Sequence, residues 1–226
     1  STVSANTTSG FSIVSYTGTG SAATVGHGLG AVPKMFMIKD LTSTNDWQVY
    51  HNATGNNNKL HINNTNAPTG TNNFATTTPT SSVFSISGGG QVNTSSSNYI
   101  AYCFAEKQGY SKFSSYIGNG NADGAFVYTG FKPSLIMFKS TASGTNWFML
   151  DNKRQGFNPA NETLSPNTAS AASSTGLSVN TLDFLSNGFK MKTNNAEFNA
   201  TGSTYIYMAI AEAPLVGTNN VPCTAR

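Results

Sequence analysis

The chain has 226 residues, enough for one large or two modest globular domains, and only 9% are charged against about 25% in ordinary soluble proteins. Its net charge of +3 is scattered, with Lys153-Arg154 the densest basic pair, which excludes the basic footprint of a nucleic-acid binder. Aromatic residues at 11% exclude a disordered chain, and no run of about 18 apolar residues exists to span a membrane.

Asn, Thr, Ser and Gly fill the places that Lys and Glu usually hold, a surface typical of extracellular β-proteins. Residues 1–9 are polar throughout and read as an N-terminal arm without the apolar core of a signal peptide. Ser1 either follows a removed Met or continues a longer chain. A strand pattern then covers Phe11–Tyr16, followed by the tight turn Thr17-Gly18-Thr19-Gly20, where Gly supplies positive φ. Gly26-His27-Gly28-Leu29-Gly30 reads as a loop between strands, since no helix follows it to bind phosphate. Strands are expected at Lys34–Lys39 and Trp47–His51. The polar segment Asn52–Thr80 reads as a long loop with a short strand at Lys59–Asn63. Val83–Ser87, a turn at Gly88-Gly89-Gly90 and a strand at Asn98–Ala105 complete the first half.

The second half repeats the order, with strands at Ser111–Tyr116, Ser134–Lys139, Trp147–Asp151, Thr181–Leu185 and Thr204–Ala211. Phe126–Tyr128 and Phe189–Lys192 add two short ones, and Asn152–Asn180 is the second long loop. Tyr16, Gly18, Gly20, Pro33, Lys39, Trp47 and Phe84 recur one hundred positions later as Tyr116, Gly118, Gly120, Pro133, Lys139, Trp147 and Phe184. The closing strands match at an offset of 106, which puts a net insertion of six between Phe184 and Asn199.

These short strands with Gly-rich turns predict an all-β, sandwich or jelly-roll architecture in two homologous units. The expected division is an arm at 1–9, repeats at 10–107 and 108–215, and a tail at 216–226. Glu106-Lys107-Gln108 leaves no real linker, so the units are either two packed sandwiches or halves of one pseudo-symmetric sandwich. Cys103 falls in a strand pattern and Cys223 in the tail, which reads as a buried thiol and a tail thiol, with a disulfide as the alternative.

Catalytic patterns are weak. None of the nine carboxylates forms an evident pair of the kind a glycosidase needs. Glu106 and Glu212 match each other at strand ends, where a carboxylate can pin the backbone. His27, His51 and His61 all lie in the first copy without metal-ligand spacing, and no Gly-x-Ser-x-Gly elbow is present. No metal, cofactor or enzymatic activity is expected. The candidate ligand-binding residues are Trp47, Tyr50, His51 and Trp147, beside the long loops, since exposed rings and amides hold sugars by stacking and hydrogen bonding. Duplicated aromatics at matched strand positions usually define a core, and the core is the favoured reading of Trp47 and Trp147.

The chain resembles a repeat family found at the C-terminal ends of bacteriophage tail-fibre and other virion structural proteins. The resemblance rests on Gly10-Phe11-Ser12-Ile13-Val14-Ser15-Tyr16-Thr17-Gly18-Thr19-Gly20, Val25-Gly26-His27-Gly28-Leu29-Gly30, Trp47-Gln48-Val49-Tyr50-His51 and the closing strand Tyr99-Ile100-Ala101-Tyr102-Cys103-Phe104-Ala105-Glu106. In the second copy it rests on Tyr116-Ile117-Gly118-Asn119-Gly120, Phe126-Val127-Tyr128-Thr129-Gly130-Phe131 and Asp183-Phe184-Leu185-Ser186-Asn187-Gly188-Phe189-Lys190. It implies a non-enzymatic protein of the virion surface, a tail-fibre-like adhesin or a capsid decoration. Its implied partners are other virion proteins, copies of itself (a trimer in the fibre case) and a host-surface glycan, with no nucleic acid and no membrane insertion. A cellular carbohydrate-binding module or a glycan depolymerase on a β-sandwich is the alternative.

Overall fold

The computed structural model describes residues 1–142, 144–172 and 181–213, which fall into two compact units divided after Lys107. Both are all-β, each with a large and a small antiparallel sheet.

Unit 1 runs β1 (Thr2–Asn6), β2 (Phe11–Thr17), β3 (Ala23–Gly26), β4 (Pro33–Asp40), β5 (Gln48–His51), β6 (Asn58–His61), β7 (Thr69–Gly70), β8 (Val83–Ile86), α1 (Gly90–Asn93) and β9 (Asn98–Ala105). Its large sheet has the order β1-β2-β9-β4-β5-β6-β7, and β3 pairs with β8 in the small one. Alternation decides the faces: β9 buries Tyr99, Ala101, Cys103 and Ala105 and leaves the residues between them partly exposed. These meet Phe36, Ile38 and Tyr50 of the large sheet and Val25, Phe84 and Ile86 of the small sheet in one core.

Unit 2 runs β10 (Ser111–Ile117), β11 (Phe126–Tyr128), β12 (Pro133–Ser140), β13 (Trp147–Asp151), β14 (Leu182–Leu185), β15 (Gly188–Met191), α2 (Ala196–Asn199) and β16 (Thr204–Ala211). Its sheets are β10-β16-β12-β13 and β11-β15-β14. Phe138, Phe148, Tyr205 and Tyr207 face Val127, Phe184, Phe189 and Met191 across its core. In both units the proline opening the long central strand coincides with a register shift, between Pro33 and Met35 and between Pro133 and Leu135. Proline has no N–H for the ladder, so the pairing slips where it stands.

The same contacts recur at corresponding positions. Tyr16 stacks on Tyr99 with ring centroids 5.1 Å apart and donates to the Val92 carbonyl; Tyr116 stacks on Tyr205 at 4.9 Å and donates to that of Phe198. Asn93 Oδ1 accepts from the Thr19 N–H and Asn199 Oδ1 from that of Asn119. Gly20 and Gly120, at φ 74° and 68°, donate to the carbonyls of Asn93 and Asn199. Lys39 and Lys139 reach the carbonyls of Asn45 and Thr145.

Several expectations are corrected. Residues 1–9 are not a free arm, since Thr2–Asn6 pairs along β2 as an edge strand. Gly88-Gly89-Gly90 is no hairpin turn but the lead into α1. Phe184 is not the counterpart of Phe84. Phe84 lies opposite Val25, and it is Phe189 that lies opposite Val127. The extra residues of unit 2 therefore fall mainly before β15, and among the described residues β14 has no equivalent in unit 1. Cys223 and the tail 216–226 lie outside the described residues, while Cys103 is buried, its thiol pushed up to about 12 by that burial.

Candidate functional site

The four residues expected to bind ligand are mostly withdrawn from solvent. Tyr50 stacks on Phe36 at 4.7 Å within the core of unit 1, and burial raises its pKa. His51 is buried, its Nδ1 accepting from the Ala53 N–H at 3.2 Å. Trp147 is 1% exposed, with its backbone N–H held by Asn167 at 2.9 Å. Trp47 alone is half-exposed, and its ring lies against Tyr102 at 6.0 Å. Trp147 thus takes the core alternative rather than the ligand-binding one: its ring offers no open face for stacking. The structure gathers Tyr50 and His51 on β5 beside Trp47, and Trp147 belongs to the other unit.

The histidines do not converge either. His27 is wholly buried, its Nδ1 accepting from Leu29 N–H, and burial lowers its pKa. His61 meets Asn64 at 2.9 Å and Asp46 at 3.9 Å. Among the described residues no group of three metal-ligating side chains forms, and no helix is long and apolar enough to cross a membrane.

Exposed aromatic surface lies elsewhere. Phe126 (50%), Tyr128 (61%) and Phe157 (68%) are the aromatic side chains most open to solvent among the described residues, and all belong to unit 2. On β11 the pleat turns Val127 into the core and sets Phe126 and Tyr128 outward on the small sheet. The Phe126 ring rests beside Gly188 of β15, where an added Cβ would stand 3.2 Å from it. At the other edge of this sheet, Asn158 imitates a fourth strand. Its amide donates to the Phe184 carbonyl and accepts from the Phe184 N–H, both at 2.9 Å, and Ala160 pairs with Leu182. Phe157 projects from this segment.

Beside Phe157 opens a cleft of about 190 Å³ lined by Lys132, Asn152, Lys153, Asn158 and Glu212. Lys132 precedes β12, Lys153 follows β13 and Glu212 follows β16, so three strand ends deliver the charges. Glu212 bonds Lys132 at 2.7 Å and Lys153 at 3.0 Å. Those two hydrogen bonds lower its carboxyl to about 2. The expected role of Glu212, pinning a strand end, is carried by lysines; its own backbone N–H donates to the Lys132 carbonyl at 2.8 Å. The arrangement of ring, amides and fixed charges can bind polar ligands, and it holds no pair of open carboxylates for hydrolysis.

Sequence reasoning passed over Phe126, Tyr128 and Phe157. A signal was available in the comparison of the two halves. With Val25 and Val127 in equivalent pairings, Phe126 and Tyr128 stand where unit 1 has Thr24 and Gly26. Thr24 and Phe126 are both exposed, in keeping with a strand position that holds Thr in one unit and a ring in the other.

No curated protein and no solved structure matches the chain. One family model, described as a domain of unknown function (DUF7483), matches residues 1–214, from the edge strand β1 to the end of β16 and just beyond. The chain therefore belongs to the DUF7483 family, whose extent takes in both units.

Proposed function

We propose that the protein is a non-enzymatic component of a virion surface that acts by contact, with unit 2 as its recognition unit and a host-surface glycan as its ligand. One observation carries the glycan reading: Phe126, Tyr128 and Phe157, the open aromatic rings, all sit on or beside the small sheet of unit 2. Aromatic faces pack against the C–H face of a pyranose, and amides and charges at the rim bond its hydroxyls. The virion setting rests on the resemblance of the repeated pattern, and self-association follows from that setting.

The test is a glycan-array screen of the whole chain beside Phe126→Ala/Tyr128→Ala and Phe157→Ala. Binding lost in ring variants that melt like the parent supports the reading. A parent chain that binds no glycan overturns it.

Contact with a neighbouring virion subunit is the second reading. Every residue of β1 is exposed and the strand lies at the edge of its sheet, so a partner strand can add there. Removal of residues 1–6 would then abolish particle attachment while leaving glycan binding intact.

A further inference from the structure

The cleft beside Phe157 already holds one carboxylate between two ammonium groups. Both lysines are positioned rather than loose. Lys132 is tied through its carbonyl to the Glu212 N–H, and Asp151 Oδ1 caps the turn by accepting from Lys153 N–H at 2.9 Å and Arg154 N–H at 2.8 Å. Asp151 is itself engaged by the Arg154 guanidinium, so it does not offset the lysines. Each ammonium has three N–H groups and gives one to Glu212. The side chains of Lys132 and Lys153 are 42% and 73% exposed, so the remaining donors are open to solvent. Two cations on one anion leave a surplus positive charge in the cleft.

The two lysines are not shared by the two units. The equivalent positions in unit 1, set by the Pro33 and Pro133 strands and by the matching bonds Asn52 N–H to Lys34 and Asn152 N–H to Ser134, hold Val32, Ala53 and Glu106. The carboxylate is present in both units and the two lysines in one. Lys132 and Lys153 are thus particular to unit 2, where they line the cleft beside Phe157.

We propose that this cleft binds a saccharide residue that carries a carboxylate. Its oxygens take the donors of Lys132 and Lys153 that Glu212 leaves unused, and its ring lies against Phe157. The inference rests on the glycan reading above and narrows it to acidic sugars.

The test titrates the whole chain with a panel of uronate- and sialate-bearing oligosaccharides, each beside its carboxyl-reduced form. Expected is binding of at least one acid form about tenfold tighter than its reduced form, weakened by added salt. Lys153→Gln should lose about three- to tenfold for that acid form and little for the reduced one. Glu212→Gln frees both ammoniums from their internal carboxylate and should tighten the acid form by a similar factor, a gain that a purely structural Glu212 would not produce. Because Lys153 is largely exposed, its variant folds and the comparison stands even if Glu212→Gln is less stable. Equal binding of acid and reduced forms overturns the carboxylate assignment and leaves the glycan reading in place. Acid binding unchanged in Lys153→Gln overturns the site. A chain that binds nothing, here or on the wider array, overturns both.

Discussion

Tyr116 donates its phenol O–H to the backbone carbonyl of Phe198 at 2.8 Å, tying β10 to the short helix α2 across 82 residues of sequence. Both groups are buried, so the bond excludes water and closes one end of the unit 2 core. Removing the hydroxyl strands a buried acceptor, which costs more than the bond contributes when made. Tyr116→Phe should therefore destabilise unit 2 by about 1–2 kcal/mol in urea denaturation. Tyr16→Phe, which loses the equivalent bond to Val92, should have an effect of similar size in unit 1.

Asn199 is the densest hydrogen-bonding side chain at this end of unit 2. The two N–H groups of its Nδ2 are shared among Asn119 Oδ1 and the Asn121 carbonyl at 2.8 Å and the Thr193 carbonyl at 2.9 Å, while Oδ1 accepts from Asn119 N–H. Asn199→Ala would unpair several part-buried groups together, and a loss of about 2–4 kcal/mol is expected. Amide exchange should accelerate first at Asn119, whose N–H loses its side-chain acceptor, while Gly120 keeps its bond to the residue 199 carbonyl. Exchange unchanged at Asn119 would refute the role.

Gly118 passes so close to the Asn199–Ala200 peptide that an added Cβ would collide with its backbone. Gly118→Ala should cost about 1–3 kcal/mol or more, since neither chain can withdraw without breaking the Gly118 N–H bond to Ser203. Gly70 has open space around its Cβ and no left-handed backbone, so Gly70→Ala should change stability by less than about 0.5 kcal/mol. Equal effects at the two sites would contradict the steric account.

Glu212 links stability to acid. Its folded carboxyl is lowered from 4.5 to about 2 by the bonds from Lys132 and Lys153. A depressed carboxyl contributes stability that is fully present above the unfolded value and is lost as pH falls through the folded one. The contribution should fade between about pH 4.5 and pH 2. Glu212→Gln should flatten the acid limb of the stability profile in that window and leave its slope above pH 6 unchanged. A parallel acid limb in the variant would show that other carboxylates dominate.

The strands that sequence made legible are those whose apolar residues alternate or repeat. Asn98–Ala105, Trp147–Asp151, Phe126–Tyr128 and Thr204–Ala211 fall where the pattern puts them. β1 is not legible because Thr-Val-Ser-Ala-Asn places no residue in the core and carries no marked hydrophobic period. The helices α1 and α2 are single turns, too short for a period of their own. Phe84 and Phe184 were paired wrongly because β14 and β15 each offer a Phe, and only strand pairing tells which one faces Val127. The site was harder still. Phe126-Val127-Tyr128 is three apolar residues in a row, and its outward face is fixed by a second sheet assembled from β14 and β15 more than fifty residues later. Trp47 and Trp147 drew attention by residue type, whereas Phe157 follows from an amide, Asn158, borrowing the hydrogen bonds of a strand.

The in-and-out order of β11 sets how this surface can diversify. Residues 126 and 128 can be exchanged without disturbing the core because they face solvent, while residue 127 is buried in it. Loss or gain of a single residue there would turn both rings inward and push the valine out. The proposed recognition role therefore predicts that relatives vary these two positions by substitution and keep the strand's length fixed.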